Sequence, residues 1–271
     1  MPAEVIIVKA DLSDPVQARK AATGATVVYQ ALNPPYPLWE GLFPALQAGA
    51  LEAARANGAR YVSIENLYMY ESSAPITEDS YIAPISKKGL LRQRMAEEVM
   101  ELDARGQLRA TALRSSDYYG PGVLTSALGE RVFGHLVAGK KAQLNGSATL
   151  PHSFAYIEDV GRAAALLGLQ DSALGRVWIA PHAPAQTQGE MVEEACRILG
   201  TKPQFRIVSP LMMWLAGLFI PAAGASVEIM YQFTTPFVVD SARIEQQLHL
   251  SATPIHRGIP QTVAWYRAHR A

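Results

Sequence analysis

Residues 61–98 read YVSIENLYMYESSAPITEDSYIAPISKKGLLRQRMAEE, and this stretch decides the fold. Its first four residues, YVSI, are aromatic and β-branched and predict a short buried strand. Glu65 and Asn66 follow at the strand's carboxyl end, then a polar loop interrupted by Pro75 and Pro84. From about Ser86 the pattern predicts a long helix, with Ser86 as its capping residue. Lys88 and Arg92 stand four apart on that helix, so they share one face. In open parallel sheets, ligands gather at the carboxyl ends of strands. A strand that hands polar groups to such a loop, followed by a helix with two cations on one face, predicts an α/β-enzyme site.

The same alternation extends outward in both directions. Residues 5–9 (VIIVK) predict a central buried strand. Asp14 then caps a short helix that opens on Pro15 and ends by Gly24. Residues 26–30 (TVVYQ) predict a second strand, and NPPYP breaks regular structure after it. A long helix runs from about Glu40 to the Asn57-Gly58 stop. Residues 109–114 (RATALR) predict the strand after the Ser86 helix. Strands alternating with helices of this length imply a parallel sheet with crossover helices. Beyond Arg114 the pattern loosens. A turn-rich DYYGPG is followed by helical pattern to about Ala138, then by residues 140–150, which predict a hairpin turning at Asn145-Gly146. Residues 152–169 read as strand then helix, 176–180 as strand, and the remainder as helices with one strand near 205–208 and a last helix ending in TVAWYRAHRA. The expected layout is a nucleotide-binding-type domain over residues 1–120, with a return segment near 152–180, and a mainly substrate-side lobe over 121–271.

Composition narrows the function. The chain has 271 residues, zero net charge, 49% hydrophobic and 18% charged residues. It is an apolar globular protein with room for a sizeable core. A neutral balance argues against nucleic acid as a partner. The single cysteine, Cys196, excludes an internal disulfide and a Cys-rich zinc site, and no metal is expected. Residues 211–227 carry no charge, but Pro221 and Gly224 interrupt a run already short for a membrane span. They are expected to form a helix packed in a core or lining a pocket. The opening shows no signal peptide, so no membrane association and a cytoplasmic location are expected.

Four motifs carry a resemblance: NLYMYE, KKGLLRQRMAEE, Arg114-Ser-Ser-Asp117-Tyr-Tyr-Gly-Pro-Gly, and His152-Ser-Phe-Ala-Tyr-Ile-Glu-Asp159-Val. Together they resemble the extended short-chain dehydrogenase/reductases, the NAD-dependent epimerase/dehydratase family, and within it an atypical subgroup that has lost the Tyr-x-x-x-Lys pair. The resemblance implies a Rossmann-like parallel sheet with flanking helices plus a smaller C-terminal substrate lobe. The glycine-rich first βαβ unit is missing, so the chain starts one unit late. Either a preceding unit is absent from this sequence, or the short form is genuine and binds dinucleotides weakly or not at all.

The resemblance also assigns roles. Asp11 falls on the adenine side, and Ala31 and Leu32 on the run that flanks the adenosine. Asn66 stands where the family has Ser or Thr, and can donate a hydrogen bond but cannot relay a hydroxyl proton. Adjacent Glu65 offers an acid or base. Lys88 and Arg92 replace the Tyr and Lys. Arg92 would hold the nicotinamide ribose, and Lys88, beside a like charge, would lose a proton more readily. Tyr68, Tyr70 and Tyr81 are phenols able to replace the lost one. Asp117 and Tyr119 belong to the loop against the nicotinamide, and Asp159 reads as a helix cap. His152 stands where an Arg often touches a substrate phosphate, which weakens the case for a nucleotide sugar. The expected catalytic set is therefore Asn66, Lys88 and Arg92, and the cofactor set Asp11, Ala31, Leu32, Arg92, Asp117 and Tyr119. The expected function is an NAD(P)-dependent oxidoreductase or epimerase acting on a carbonyl or alcohol of a small molecule, sugars included, working as a homodimer. The alternative is a non-catalytic Rossmann protein serving as nucleotide sensor or binding scaffold.

Overall fold

The computed structural model describes residues 4–71 and 75–269. Its centre is a four-stranded parallel sheet of β1 (Val27–Gln30), β2 (Arg60–Glu65), β3 (Arg109–Arg114) and β4 (Val177–Ile179), in that spatial order. Arg60 lies opposite Val27 on one side and Arg109 on the other, and Val177 pairs with Ala112. Helix α2 (Trp39–Ala56) connects β1 to β2, and α3 (Lys87–Ala104) connects β2 to β3. Both pack on one face, where Ala50, Leu51, Ala54 and Val99 meet Tyr61 and Ala110. The other face is covered by α4 (Ile157–Leu169), whose Val160, Ala163 and Leu167 meet Val62, Leu113 and Trp178. Covering on both faces explains why β2 and β3 are buried along nearly their whole length, without alternation.

The expected first strand is not in this sheet. Residues 5–9 form no strand, and Val5, Ile6, Ile7 and Val8 are 49%, 86%, 70% and 59% exposed. A β-rich sequence extends the chain, but burial in a sheet requires a neighbour, and among the described residues none pairs with this run or with the outer edge of β1. The chain is anchored only after this run, by α1 (Pro15–Ala21), which packs on α2 with Ala18 fully buried. Asp14 caps α1 as expected, accepting the Val16 N–H at 2.8 Å.

Three smaller elements carry the chain between β3 and the far lobe. Tyr118–Tyr119 pairs in parallel with Ala155–Tyr156. Pro151–His152 runs antiparallel to Gln186–Thr187. Residues 140–150 do not form the expected hairpin. The turn at Gly146 exists, with φ +64°, but Ala142–Asn145 pairs in parallel with the distant Phe205–Val208. The buried side chain of Gln188 closes off Asn145, accepting its N–H at 3.2 Å and donating to its carbonyl at 2.6 Å. A second apolar cluster, with Leu128, Phe133, Phe154, Met191, Ile259 and Tyr266 among its members, fills this lobe.

Residues 211–227 also differ from expectation. They form two short helices, Pro210–Gly217 and Pro221–Ser226, which approach so closely that a Cβ on Gly217 would lie 2.5 Å from the Gly224 Cα. Met213 and Ala223 are buried, but Leu211, Trp214, Leu218 and Phe219 face solvent. No helix among the described residues is long and apolar enough to cross a membrane. The final helix is Ile255–Ala268, and the last two residues of the predicted one lie outside the described residues.

Candidate functional site

The carboxyl ends of β1, β2 and β3 open onto one cleft of about 780 Å³. Ala31, Leu32 and Asn33 line it after β1, Glu65 to Tyr68 after β2, and Ser115 to Tyr118 after β3. Residues 121–126 and Gln232 form its far side, and Ile157, Val160, Gly161, Ala164 and Ala165 of α4 close one end. An aromatic wall, absent from the sequence reading apart from Tyr68, completes it. Trp39 stacks on Tyr68 at 6.0 Å, with Tyr36 and Phe43 edge-on to Trp39 at 5.0 Å each. The NPPYPLW break that ends β1 places Tyr36 and Trp39 here, and a break of that composition after a strand was the available signal.

Behind the cleft lies a buried charge cluster. Arg114 Nε donates to Glu65 Oε2 at 2.9 Å, and Arg114 Nη1 donates to the Tyr70 hydroxyl. Ser63 Oγ donates to Glu65 Oε1 at 2.9 Å. Both carboxylate oxygens of Glu65 are therefore taken. It reaches the wall as a structural counter-charge and not as a vacant acid or base, and Tyr70 is likewise engaged. Arg92, from α3, reaches the cleft in the same region and is 2% exposed. Burial pushes its guanidinium below its usual pKa, with the Glu65 charge opposing.

Asn66 and Arg92 both line the cleft, but Lys88 does not join them. Its Nζ donates to Glu228 Oε1 at 2.6 Å, and it lines a smaller neighbouring pocket of about 160 Å³ with Tyr36 and Glu228. One helix face supplies both cations, yet one full turn separates them, and the intervening Tyr36 ring, 5.4 Å below Lys88 Nζ, divides the two pockets. Asn66 Oδ1 accepts the Tyr68 N–H at 3.3 Å, which leaves its amide N–H groups for another acceptor.

Of the residues expected around the cofactor, Ala31, Leu32, Arg92 and Asp117 line the cleft. Tyr119 is fully buried against Tyr156 and Gly258 outside it, and Gly120 backs onto Ile157 and Tyr156 with φ +133°. Asp11 is exposed and spends its carboxylate on Ser13, accepting from its N–H at 2.9 Å and its hydroxyl at 2.6 Å. Those hydrogen bonds hold the Asp11 carboxyl below its usual pKa. Tyr81 is exposed at 88%, away from the site. Asp159 is not a cap. It accepts from the Thr253 N–H and hydroxyl, at 2.5 and 2.7 Å, and ties that distant loop to α4.

Two features were not legible in the sequence. The Tyr36 and Tyr68 hydroxyls lie 2.5 Å apart in the cleft wall, and burial pushes the Tyr36 phenol up to about 12. Asp117 meets His152, a residue 35 positions away: Asp117 Oδ2 is 3.0 Å from His152 Nε2, with Ser116 Oγ at 3.3 Å from the same nitrogen. His152 Nδ1 lies 3.1 Å from the Gln232 carbonyl. The ring is sandwiched among Phe154, Phe233 and Phe237. The position matched to an Arg therefore serves to hold Asp117 rather than to meet a ligand, and His152 does not itself line the cleft. No group of three or more metal-ligating side chains occurs among the described residues.

Parallel strands, crossover helices and a polar cleft at the strand ends define an α/β protein of the Rossmann type. The profile of the NAD dependent epimerase/dehydratase family matches residues 3–178, and the chain belongs to that family. It is similar to the dTDP-glucose 4,6-dehydratase of Bacillus anthracis in complex with NAD, with 15% identity, TM-score 0.77, and 97% of this chain and 80% of that one covered. It is also similar to the UDP-glucuronic acid 4-epimerase of Bacillus cereus in complex with NAD, with 15% identity, TM-score 0.72 and coverage of 94% and 79%. A third similar structure is RMD from Pseudomonas aeruginosa complexed with NADPH, with 14% identity, TM-score 0.74 and coverage of 99% and 90%. At these identities the likeness speaks for the fold. A search of curated proteins gave no match.

Proposed function

We propose that the chain is an NAD(P)-dependent oxidoreductase or epimerase acting on a carbonyl or alcohol held in the strand-end cleft. The observation that carries this reading is the convergence of Asn66, Arg92, Ser115, Ser116 and Asp117 on one cleft that the family frame associates with nicotinamide and substrate. The nicotinamide end fits these residues: Arg92 keeps an orphaned buried Nε that can donate to a ribose hydroxyl, and Ala31 and Leu32 supply an apolar flank. A bound nicotinamide would supply or accept the hydride. Asn66 would orient the substrate oxygen through its amide. The Tyr36–Tyr68 pair would stand in for the missing phenol, and the raised pKa of Tyr36 keeps it protonated, able to hydrogen-bond a substrate oxygen.

The pyrophosphate end fits less well. Anions rest on free N–H groups at helix N-termini. Here the Asp14 carboxylate already occupies the start of α1 and the Ser86 hydroxyl that of α3, while the starts of α2 and α4 carry no side-chain cap but follow no glycine-rich turn. Without such a cradle, two or three charge-assisted hydrogen bonds are lost, and binding should weaken by roughly two to six powers of ten. A sugar-type substrate is supported by the names of the similar structures. The commitment of His152 to Asp117 favours one without a diphosphate. The second reading, a non-catalytic nucleotide sensor or scaffold, is favoured by Lys88, which stands at the phenol's position and is paired with Glu228.

The test is calorimetric titration of NAD+, NADH, NADP+ and NADPH against this chain and against one carrying a strand–glycine turn–helix unit ahead of Val5. Weak binding by the first and tighter binding by the second is expected. Micromolar binding by the chain alone would show that the pyrophosphate is held some other way.

A further inference from the structure

Arg92 is a buried charge without a counter-charge. Its Nη1 reaches the Met95 sulfur at 3.8 Å, and its guanidinium lies 4.9 Å from the centre of the Phe43 ring. Its Nε has no hydrogen-bond partner, and it forms no ion pair among the described residues. The Glu65 charge is felt at Arg92, but that carboxylate is committed to Arg114 at 2.9 Å. The inner wall thus holds two guanidiniums and one carboxylate. A thioether and an aromatic face are weak substitutes for an anion, and a buried unpaired ion is among the costliest features a fold can carry.

We propose that the cleft binds a ligand carboxylate at Arg92, on a ligand whose apolar or aromatic body lies against Tyr36, Trp39, Phe43 and Tyr68. A guanidinium presents a planar fork that matches a carboxylate through two parallel hydrogen bonds. On that inner wall the excess is a single positive charge, which one carboxylate neutralises, the Asp117 carboxyl group elsewhere in the lining being held by His152 at 3.0 Å. A phosphate dianion would overshoot it in a cleft that already contains the Asp117 carboxyl group. Ribose hydroxyls would occupy N–H donors and leave the charge standing, so the inference goes beyond the cofactor reading and does not depend on it. The wall beside Arg92 supplies the second half of the recognition: four aromatic side chains, two of them stacked, forming a face for a flat apolar body.

The experiment uses the full chain without nucleotide and titrates benzoate, its neutral analogue benzamide, and inorganic phosphate by calorimetry. Benzoate should bind about ten to a hundredfold more tightly than benzamide, the ratio expected from a charge-assisted fork. Arg92→Met should remove that preference. Arg92→Lys, which keeps the charge and loses the fork, should retain a preference but bind benzoate more weakly. Equal affinities for benzoate and benzamide, no benzoate binding, phosphate bound in its place, or a benzoate preference that survives Arg92→Met would each overturn the proposal. If Arg92→Met does not fold, unchanged benzoate affinity in Arg92→Lys overturns it equally. Failure of the nucleotide titrations leaves this result unaffected, so the two readings fail separately.

Discussion

Replacing Glu65 by Gln tests the charge cluster on which the cleft is built. The Glu65 side chain is 0% exposed and that of Arg114 4% exposed. Gln keeps the shape and one acceptor oxygen, so the Ser63 and Arg114 contacts can persist in neutral form, with the hydroxyl of Ser63 turned to accept. What disappears is the one negative charge beside two buried guanidiniums, paired with Arg114 and felt only through space at Arg92. Removing one partner of a buried pair costs about 3–5 kcal/mol, and the retained hydrogen bonds place Glu65→Gln near the lower end. A domain of ordinary stability has about 5–15 kcal/mol in total, so the loss is a large share. The assay is urea unfolding followed by tryptophan fluorescence, with the slope checked for constancy. The same reasoning gives a sign for a second change: in the Glu65→Gln background, Arg92→Met removes a like charge and should recover part of the loss. A loss below about 1 kcal/mol at unchanged slope, or further destabilisation by Arg92→Met in that background, would refute the argument that Glu65 pairs with Arg114 and lowers the cost of the Arg92 charge.

His182 should make stability pH-dependent on the acid side. Burial pushes its pKa down from 6.5 to about 4, and the neutral ring is satisfied at both nitrogens, by the Ala180 carbonyl at 2.6 Å and the Ser116 N–H at 3.3 Å. Between those pH values the unfolded chain takes up a proton that the folded chain refuses, so stability falls as pH drops from about 6.5 to about 4, by about 3 kcal/mol. Urea midpoints across that range should show this for the native chain and a flatter profile for His182→Asn, and identical profiles would exclude His182 as the cause. Gly49→Ala should destabilise the contact between α1 and α2, because the new Cβ would lie 1.7 Å from the Leu12 carbonyl oxygen and backbone must move. A loss of about 1–3 kcal/mol is expected, with faster proteolysis ahead of α1, and an unchanged urea midpoint would show that the helices part without cost.

Much of this protein is written locally in its sequence. The alternation of short apolar strands with amphipathic helices, the Asp14 and Ser86 caps and the Gly146 turn depend on neighbours a few residues away, and they stand as read. So does the strand-end location of the cleft, because parallel connection forces the loops after β1, β2 and β3 to one edge. What went unread depends on pairing across distance. Residues 5–9 have strand-forming side chains, but only a neighbouring strand could bury them. The turn at Asn145-Gly146 is real, yet its strand pairs with Phe205–Val208, while Gln188 ties down Asn145 and Ser147 at the turn. The roles of Lys88 and Arg92 were equivalent on a helical wheel. Glu228, 140 residues away, neutralises one, and among the described residues no carboxylate forms an ion pair with the other. The sequence by itself determined which cations share the helix face, because that follows from 3.6 residues per turn. The tertiary structure alone decided which of them is left to meet a ligand, because a charge is compensated through space and not along the chain.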